Sequence, residues 1–332
     1  MIKIKVPSSS ANLGPGFDVL GLALSLYLEL HVTVASSSSA SVGLNCEISC
    51  EGLGADTIRK APEENLITQV ALYVLRCHGH HEFAKHTKVH IINNIPLSRG
   101  LGSSGAAVVA GVILANEVGD LGLTKERILD YCLMIERHPD NITAALYGGF
   151  VGACLSELDA EDMARTEIPL SEVLPEPAGG EDTGKTPPIP PLGIGQFEKF
   201  SFAPEIKAIV VIPDFKVDTA DARKVLPSSY SRSDTVGILG TARNYRDLLS
   251  KQVFNSQRVA LLTYLLGQPP TNPAKVHLAM QDRLHQPYRS KLIPGLSEII
   301  RQLTPSSHPG LLGICLSGEM QHLPHRFNHA DR

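Results

Sequence analysis

Residues 100–105 read Gly-Leu-Gly-Ser-Ser-Gly, and two other polar groupings stand out: Asn12 to Asp18 (Asn-Leu-Gly-Pro-Gly-Phe-Asp) and Glu136-Arg-His-Pro-Asp-Asn141. A glycine-rich loop that runs into a helix presents unpaired backbone N–H groups and the positive end of the helix dipole. Glycines let that backbone come close to a ligand. The hydroxyls of Ser103 and Ser104 can cap the helix or reach a phosphate or its metal. The chemistry is that of a phosphate cradle. A capped helix after a flexible turn explains the same residue types, but three glycines, two serines and an Ala/Val helix coincide here.

The loop is not a Walker A sequence, since no Gly-Lys-Ser/Thr follows it. Gly100, Gly102 and Gly105 formally match the dinucleotide fingerprint, yet a polar linker starting at Pro96 separates them from the preceding strand. No acidic residue ends a second strand about 20 residues later, as a dinucleotide fold requires. Gly184-Lys-Thr186 echoes the end of a Walker A loop but has no strand before it and prolines after it. In the cluster 136–141, Pro139 biases His138 away from helix, so two carboxylates, an imidazole and an amide meet at a helix break. Capping of the next helix by Asp140 or Asn141 is the structural alternative. For Asn12 and Asp18, turn chemistry and a ligand role are both open.

At 332 residues the chain has room for two domains. A 43% apolar content and a mean hydropathy of +0.02 describe a globular protein with an adequate core. The net charge of −4 and the absence of a basic stripe argue against nucleic acid as partner. No apolar run approaches the length of a membrane span and the N-terminus lacks a signal-peptide core, so no membrane partner is expected and the cytosol is the default. The six scattered cysteines complete no zinc site. The five histidines between residues 78 and 90 are expected on a solvated surface.

The elements that must position these groups follow from periodicity. Strands are expected at 2–6, 31–34 (after an apolar stretch, 19–30), 88–92, 150–155, 206–212 and 311–316, with a surface hairpin in 35–60. Helices are expected at 64–77, from the cap at Thr124 to 135, after Ile142, and at 234–249, 251–266, 273–283 and 295–303, with a basic turn at 288–294. Residues 175–195, rich in Pro and Gly, read as an exposed or disordered insertion without chemistry.

With these segments in order, the loop from Pro96 to Ala106 resembles the phosphate motif of the GHMP small-molecule kinases. Val6 to Asp18, His138-Pro-Asp-Asn141, Thr219-Ala-Asp-Ala-Arg223 and Arg289-Ser-Lys-Leu-Ile-Pro294 resemble the homoserine kinases among them, and Cys132 to Ala145 resembles the fungal ones. The resemblance implies an α+β, two-domain GHMP kinase fold: an N-terminal α/β domain with the glycine-rich phosphate loop and a C-terminal ferredoxin-like domain. Laid on this chain, it implies an ATP-binding domain at 1–155, an insertion or linker at 156–204, a second domain at 205–318 and an atypical tail at 319–332. It also implies ATP-dependent phosphorylation of the side-chain hydroxyl of L-homoserine on the way to threonine, with ATP, Mg²⁺ and homoserine as partners and a homodimer as one option for assembly.

Roles carry over at matching positions. Pro96, Arg99, Gly100, Leu101, Gly102, Ser103, Ser104, Gly105 and Ala106 would cradle the nucleotide phosphates, and Asn65 would lie on the adenine side. Ser104 and Glu136 would hold Mg²⁺. For homoserine, Asp18 and Asp140 suit the ammonium and Arg223 and Arg289 the carboxylate, with Asn12, His138, Asn141 and Thr219 completing the pocket. Arg223 and Ser104 are the catalytic groups with Asp140, whose role as base or as substrate ligand the sequence leaves open. The third GHMP motif begins at Gly310-Leu-Leu-Gly-Ile-Cys-Leu-Ser-Gly318 and then departs from the family pattern into a His/Arg-rich tail. That departure leaves two alternatives: another GHMP kinase, or a kinase-like binding protein impaired in turnover.

Overall fold

The structure, a computed structural model, describes residues 1–34, 43–157, 186–213 and 244–317. Thr219, Arg223, residues 175–185 of the insertion, the first half of the helix expected at 234–249, and the tail from Gly318 lie outside these residues. By backbone contacts the chain divides into two compact units. The first takes residues 1–10, 21–97 and 101–199; the second takes 11–20, 98–100 and the described chain from Phe200 onward.

The first unit is a mixed sheet under helices. Strands β1 (Ile2–Ala11), β2 (Leu20–Val34), β3 (Cys46–Gly52), β4 (Thr87–Asn93), β5 (Phe150–Leu155) and β6 (Gly195–Phe200) form a six-stranded sheet in the order β3-β4-β2-β5-β6, with β1 paired to β2. Helices α1 (Leu66–Cys77), α2 (Ser103–Val118), α3 (Lys125–Ile135) and α4 (Pro139–Tyr147) complete it. Strand alternation sends Ile4, Val6, Leu28, Leu30, Val32, Val89 and Ile91 into the core and leaves Lys3, Lys5, Lys88 and His90 on the open face. On that face Glu29 takes Lys3 at 2.7 Å and Lys5 at 3.1 Å. Helix α2 is built from small residues because it lies tight against α1: a side chain on Gly111 would fall 2.5 Å from the Ile67 carbonyl oxygen.

Several expected elements change. The apolar stretch from residue 19 and the strand at 31–34 are one strand, β2, which pairs with β1 and β5 and, from Leu28↔Asn93 to Val34↔Thr87, with β4. Residues 46–52 form no hairpin; β3 pairs in parallel with β4, from Cys46↔Thr87 to Gly52↔Asn93. The end of the proline-rich insertion is bound, not free. Arg127 donates to the Pro190 and Pro191 carbonyls, both at 2.8 Å, and the Ile194 N–H donates to Asp130 Oδ1 at 2.9 Å. Its prolines expose carbonyls that have no ladder partner, and one arginine collects them. Of the histidines expected on the surface, His78 is instead half-buried and bonds the Tyr131 hydroxyl at 2.9 Å.

In the second unit the described chain holds α5 (Asn244–Leu266), α6 (Pro273–Ala279), α7 (Gln286–Arg289) and α8 (Leu296–Gln302). The strands expected at 206–212 and 311–316 are irregular chain, with Ile209 and Val211 almost fully exposed. A β-branched run makes a strand only where a neighbouring strand takes its backbone groups. No described helix is long and apolar enough to cross a membrane.

Candidate active site

The glycine loop gets its shape from alternating backbone hand. Ser98 (φ 56°), Gly100 (φ 71°) and Gly102 (φ 63°) are left-handed, whereas Arg99 and Leu101 are not. Left-handed residues at every second position, two of them glycines, let backbone N–H groups turn toward one side, as in anion-binding loops. Gly102 is also the N-cap of α2, and its carbonyl accepts the first helical bond, from Ala106 N at 2.9 Å. Ser103 and Ser104 were candidates for that cap. They occupy the first two helical positions instead, so their hydroxyls are not used as the cap. Leu101 and Ala106 point into the core, so only their backbone serves the loop. Pro96 is half-buried ahead of it.

Gly102 is glycine for space as well as for hand. A Cβ there would sit 2.1 Å from Ser9 Oγ and 3.2 Å from Asn141 Oδ1. Ser9 is a residue that sequence reasoning missed. Its N–H donates to the Leu101 carbonyl at 3.2 Å, and its hydroxyl donates to Asn141 Oδ1 at 2.9 Å. That bond commits the Asn141 oxygen and leaves its Nδ2 hydrogens as donors. The one available signal was period two on β1, which turns Ser9 to the opposite side from Ser8 and Ser10.

The cluster 136–141 sits at the break between α3 and α4, as Pro139 dictates. Capping of α4 by Asp140 or Asn141 is not what occurs: His138 is the N-cap, Pro139 is the first helical residue, and Asp140 and Asn141 lie inside the first turn. Asp140 is fully buried and its Oδ1 accepts from the Asn141 N–H at 2.8 Å. Glu136 is buried at the end of α3, with His138 Nδ1 3.9 Å from its Oε1. The same oxygen would lie 3.6 Å from a Cβ on Gly105, so the carboxylate stands against the first turn of α2. Burial first, and this carboxylate second, hold the Cys132 thiol well above its ordinary pKa.

Asn65 is the N-cap of α1. Its Oδ1 accepts from Ile67 N at 3.0 Å and its Nδ2 donates to the Arg59 carbonyl at 2.7 Å, so much of the carboxamide is spent on structure.

The second unit holds the other candidates. Asn12 (φ 61°) and Asp18 (φ 54°) are both left-handed, and Asn12 Oδ1 accepts from the Asp18 N–H at 2.8 Å. Arg289, buried at the end of α7, has its guanidinium carbon 6.0 Å from the centre of the Phe17 ring. Arg99 donates to the Pro213 carbonyl. Gly100 lies against Ser317, whose hydroxyl donates to the Gly100 carbonyl at 2.9 Å; a Cβ on Gly100 would fall 2.6 Å from the Ser317 carbonyl oxygen.

The residues suit a metal-nucleotide. No group of three His, Cys, Asp or Glu side chains converges among the described residues. Mg²⁺ does not need one, because it keeps waters and takes one or two carboxylates together with phosphate oxygens.

The family described as the GHMP kinases N terminal domain matches residues 65–149, which span the glycine loop and the cluster 136–141. The homoserine kinase of Saccharomyces cerevisiae is 56% identical over 321 residues, which cover 95% of this chain and 85% of that one. The chain belongs to the homoserine kinase family. Homoserine kinases of Candida albicans and Schizosaccharomyces pombe are 48% and 47% identical over the same shares of the two chains. The fold agrees. A homoserine kinase from Cytophaga hutchinsonii superposes with a TM-score of 0.63 over 96% of this chain and 82% of that one at 23% identity. A mevalonate kinase from L. major gives 0.53 over 96% and 84% at 12%. Within the homoserine kinase family, another GHMP activity and a binding protein without turnover are both disfavoured.

Proposed function

We propose that this chain transfers the γ-phosphoryl group of ATP to the side-chain hydroxyl of L-homoserine, giving O-phospho-L-homoserine and ADP. The observation that carries the reading is the alternating-hand loop at 98–102, which opens onto the first turn of α2 with the Glu136 carboxylate against it. Family membership supplies the acceptor.

Bound Mg·ATP supplies the phosphoryl group and the cation that offsets its charge. The backbone N–H groups of residues 100–105 hold phosphate oxygens, and the α2 dipole favours their negative charge. Ser104 Oγ and the Glu136 carboxylate are the two hard oxygens that would hold Mg²⁺. Asn65 borders the adenine while capping α1.

For homoserine, Asp18 and Asp140 take the ammonium, and Arg289 takes the carboxylate through paired N–H bonds, joined by Arg223. Asn12, His138 and Thr219 complete the pocket. Asn141 adds its Nδ2 donors, oriented by Ser9. Phosphoryl transfer depends mostly on positioning and charge, so a strong base is not required. Asp140 therefore acts as a substrate ligand. The six free thiols fit a reducing compartment such as the cytosol.

The test is ADP release from Mg·ATP with homoserine, mevalonate or galactose as acceptor. Turnover with homoserine alone is expected. ATP binding without turnover on any acceptor would overturn the proposal.

A further inference from the structure

The second unit contains a buried polar cluster that none of the roles above uses. Asp282, in the turn between α6 and α7, has a side chain with no exposure. Its Oδ1 accepts from Asn255 Nδ2 at 2.5 Å and from Leu284 N at 3.0 Å. Its Oδ2 accepts from the N–H groups of His285 at 2.9 Å and Gln286 at 2.6 Å. A carboxylate that takes four donors is saturated, and it fixes everything bonded to it.

The cluster reaches outward through two side chains. His285 Nε2 is 2.8 Å from the Gly14 carbonyl oxygen. A carbonyl only accepts, so Nε2 carries the proton. Asn255 Nδ2 donates also to the Pro15 carbonyl at 3.1 Å, while its Oδ1 accepts from Arg283 N at 3.1 Å. Gly14 and Pro15 are the middle of the loop whose ends are Asn12 and Asp18. That loop holds Asn12, Gly14 and Asp18 in left-handed conformations. Left-handed backbone is costly for residues with a Cβ and persists only where the surroundings impose it. Two carbonyls tied from outside hold it here, together with the bonds from the Asp18 N–H to Asn12 Oδ1 and from the Gly16 N–H to the Leu13 carbonyl.

The same carboxylate sets the opposite wall. Its bonds to the N–H groups at 285 and 286 fix the first turn of α7, the helix that ends on Arg289. The Phe17 ring, inside the loop, stacks at 5.1 Å from the His285 ring and faces Arg289. Gln286 Oε1 accepts from Leu316 N at 3.0 Å, next to Ser317, which bonds Gly100.

We propose that Asp282, through His285 and Asn255, is a positioning residue that sets the Asn12–Asp18 loop against Arg289 for the amino-acid substrate, without touching that substrate. The proposal rests on the homoserine kinase reading. It predicts a defect confined to the amino acid: losing the His285 bond lets the loop relax, while the loop amides at residues 101–105, backed by the apolar core, stay in place.

The experiment compares wild type with His285→Ala, His285→Gln and Asp282→Asn, with KM for homoserine, KM for ATP, kcat and thermal midpoint measured for each. For His285→Ala we expect KM for homoserine to rise about tenfold, the value of one lost hydrogen bond, with KM for ATP changing less than about twofold. His285→Gln, which keeps an N–H donor, should recover most of the loss. A rise in both KM values together, or an unchanged KM for homoserine in a folded His285→Ala protein, overturns the positioning role. If Asp282→Asn fails to fold, the two His285 variants decide alone. Failure of the parent reading looks different, because wild type itself would then show no turnover with homoserine.

Discussion

Around Gly102 and around Gly14 the chain holds a left-handed loop in place by two different means. Gly102 rests on apolar packing: it caps α2, whose Ala106, Val109, Ala110 and Leu114 belong to a continuous core with α1 and the sheet. Two polar bonds of Ser9, to Asn141 and to the Leu101 carbonyl, are added to that core. Gly14 is packed against the backbone of Met280, where a Cβ would fall 2.8 Å from the carbonyl oxygen, and is held by hydrogen bonds besides. Its carbonyl is held by His285 and the next by Asn255, and both depend on the buried Asp282. An apolar core spreads its stabilisation over many small contacts, so one lost contact costs little geometry. A polar network stakes its geometry on each member. The glycine loop around Gly102 should therefore fail through sterics, and the Asn12–Asp18 loop through single hydrogen bonds.

The largest expected effect breaks the first region by sterics. Gly102→Ala puts a Cβ 2.1 Å from Ser9 Oγ at a left-handed position. Displacement of the loop by about 1 Å should cut kcat on the order of 10²-fold. Turnover within a factor of two of wild type would show that the loop yields more than a packed core allows.

Next in size is Asp140→Asn. As a ligand for the homoserine ammonium, Asp140 should raise KM for homoserine by roughly 10- to 100-fold when its charge is removed, the range for hydrogen bonds to charged groups. Collapse of kcat at unchanged KM would assign it as the base instead.

A smaller effect separates structure from binding at Asn65. Loss of its cap in Asn65→Ala should cost about 1 kcal/mol of stability. Asn65→Ser keeps an acceptor for Ile67 N and should restore the thermal midpoint. If KM for ATP stays raised in the Ser variant, the residue also binds nucleotide.

The smallest effect is on the open face of the sheet. Hydrogen bonds from Lys3, then Lys5, hold the Glu29 carboxyl below its usual pKa. A depressed carboxyl adds stability above its unfolded value, and that stability is lost as pH falls through its folded value. Glu29→Gln should therefore leave stability below that window unchanged and lower it slightly at neutral pH. An equal loss at every pH would indicate packing instead of charge.

Much of the first unit was legible because its signals are local. Thr124 reads as a cap and serves as one, its Oγ1 accepting from Arg127 N at 3.3 Å; Asn65, placed inside the helix expected at 64–77, turns out to be that helix's cap. Pro139 marked the helix break, and glycine density marked the loop. Local signals failed where a partner decides the outcome. Residues 206–212 carry five β-branched residues and 46–52 only one, yet β3 pairs with β4 and 206–212 is irregular, with no strand beside it among the described residues. The binding of Pro190 and Pro191 by Arg127, 63 or more residues away in sequence, carries no local signature either.

The sequence by itself determined the chemistry: glycines and serines at 100–105, acids and amides at 136–141, and a left-handed-tolerant Asn and Asp at 12 and 18. Residue type fixes which donors, charges and backbone conformations are available, and that information is local. Only the tertiary structure decided how those groups are held. Ser9 beneath Gly102, Glu136 against Gly105, and His285 on the Gly14 carbonyl are contacts across 93, 31 and 271 residues of chain. Such contacts exist only after folding has met the cost of bringing distant segments together.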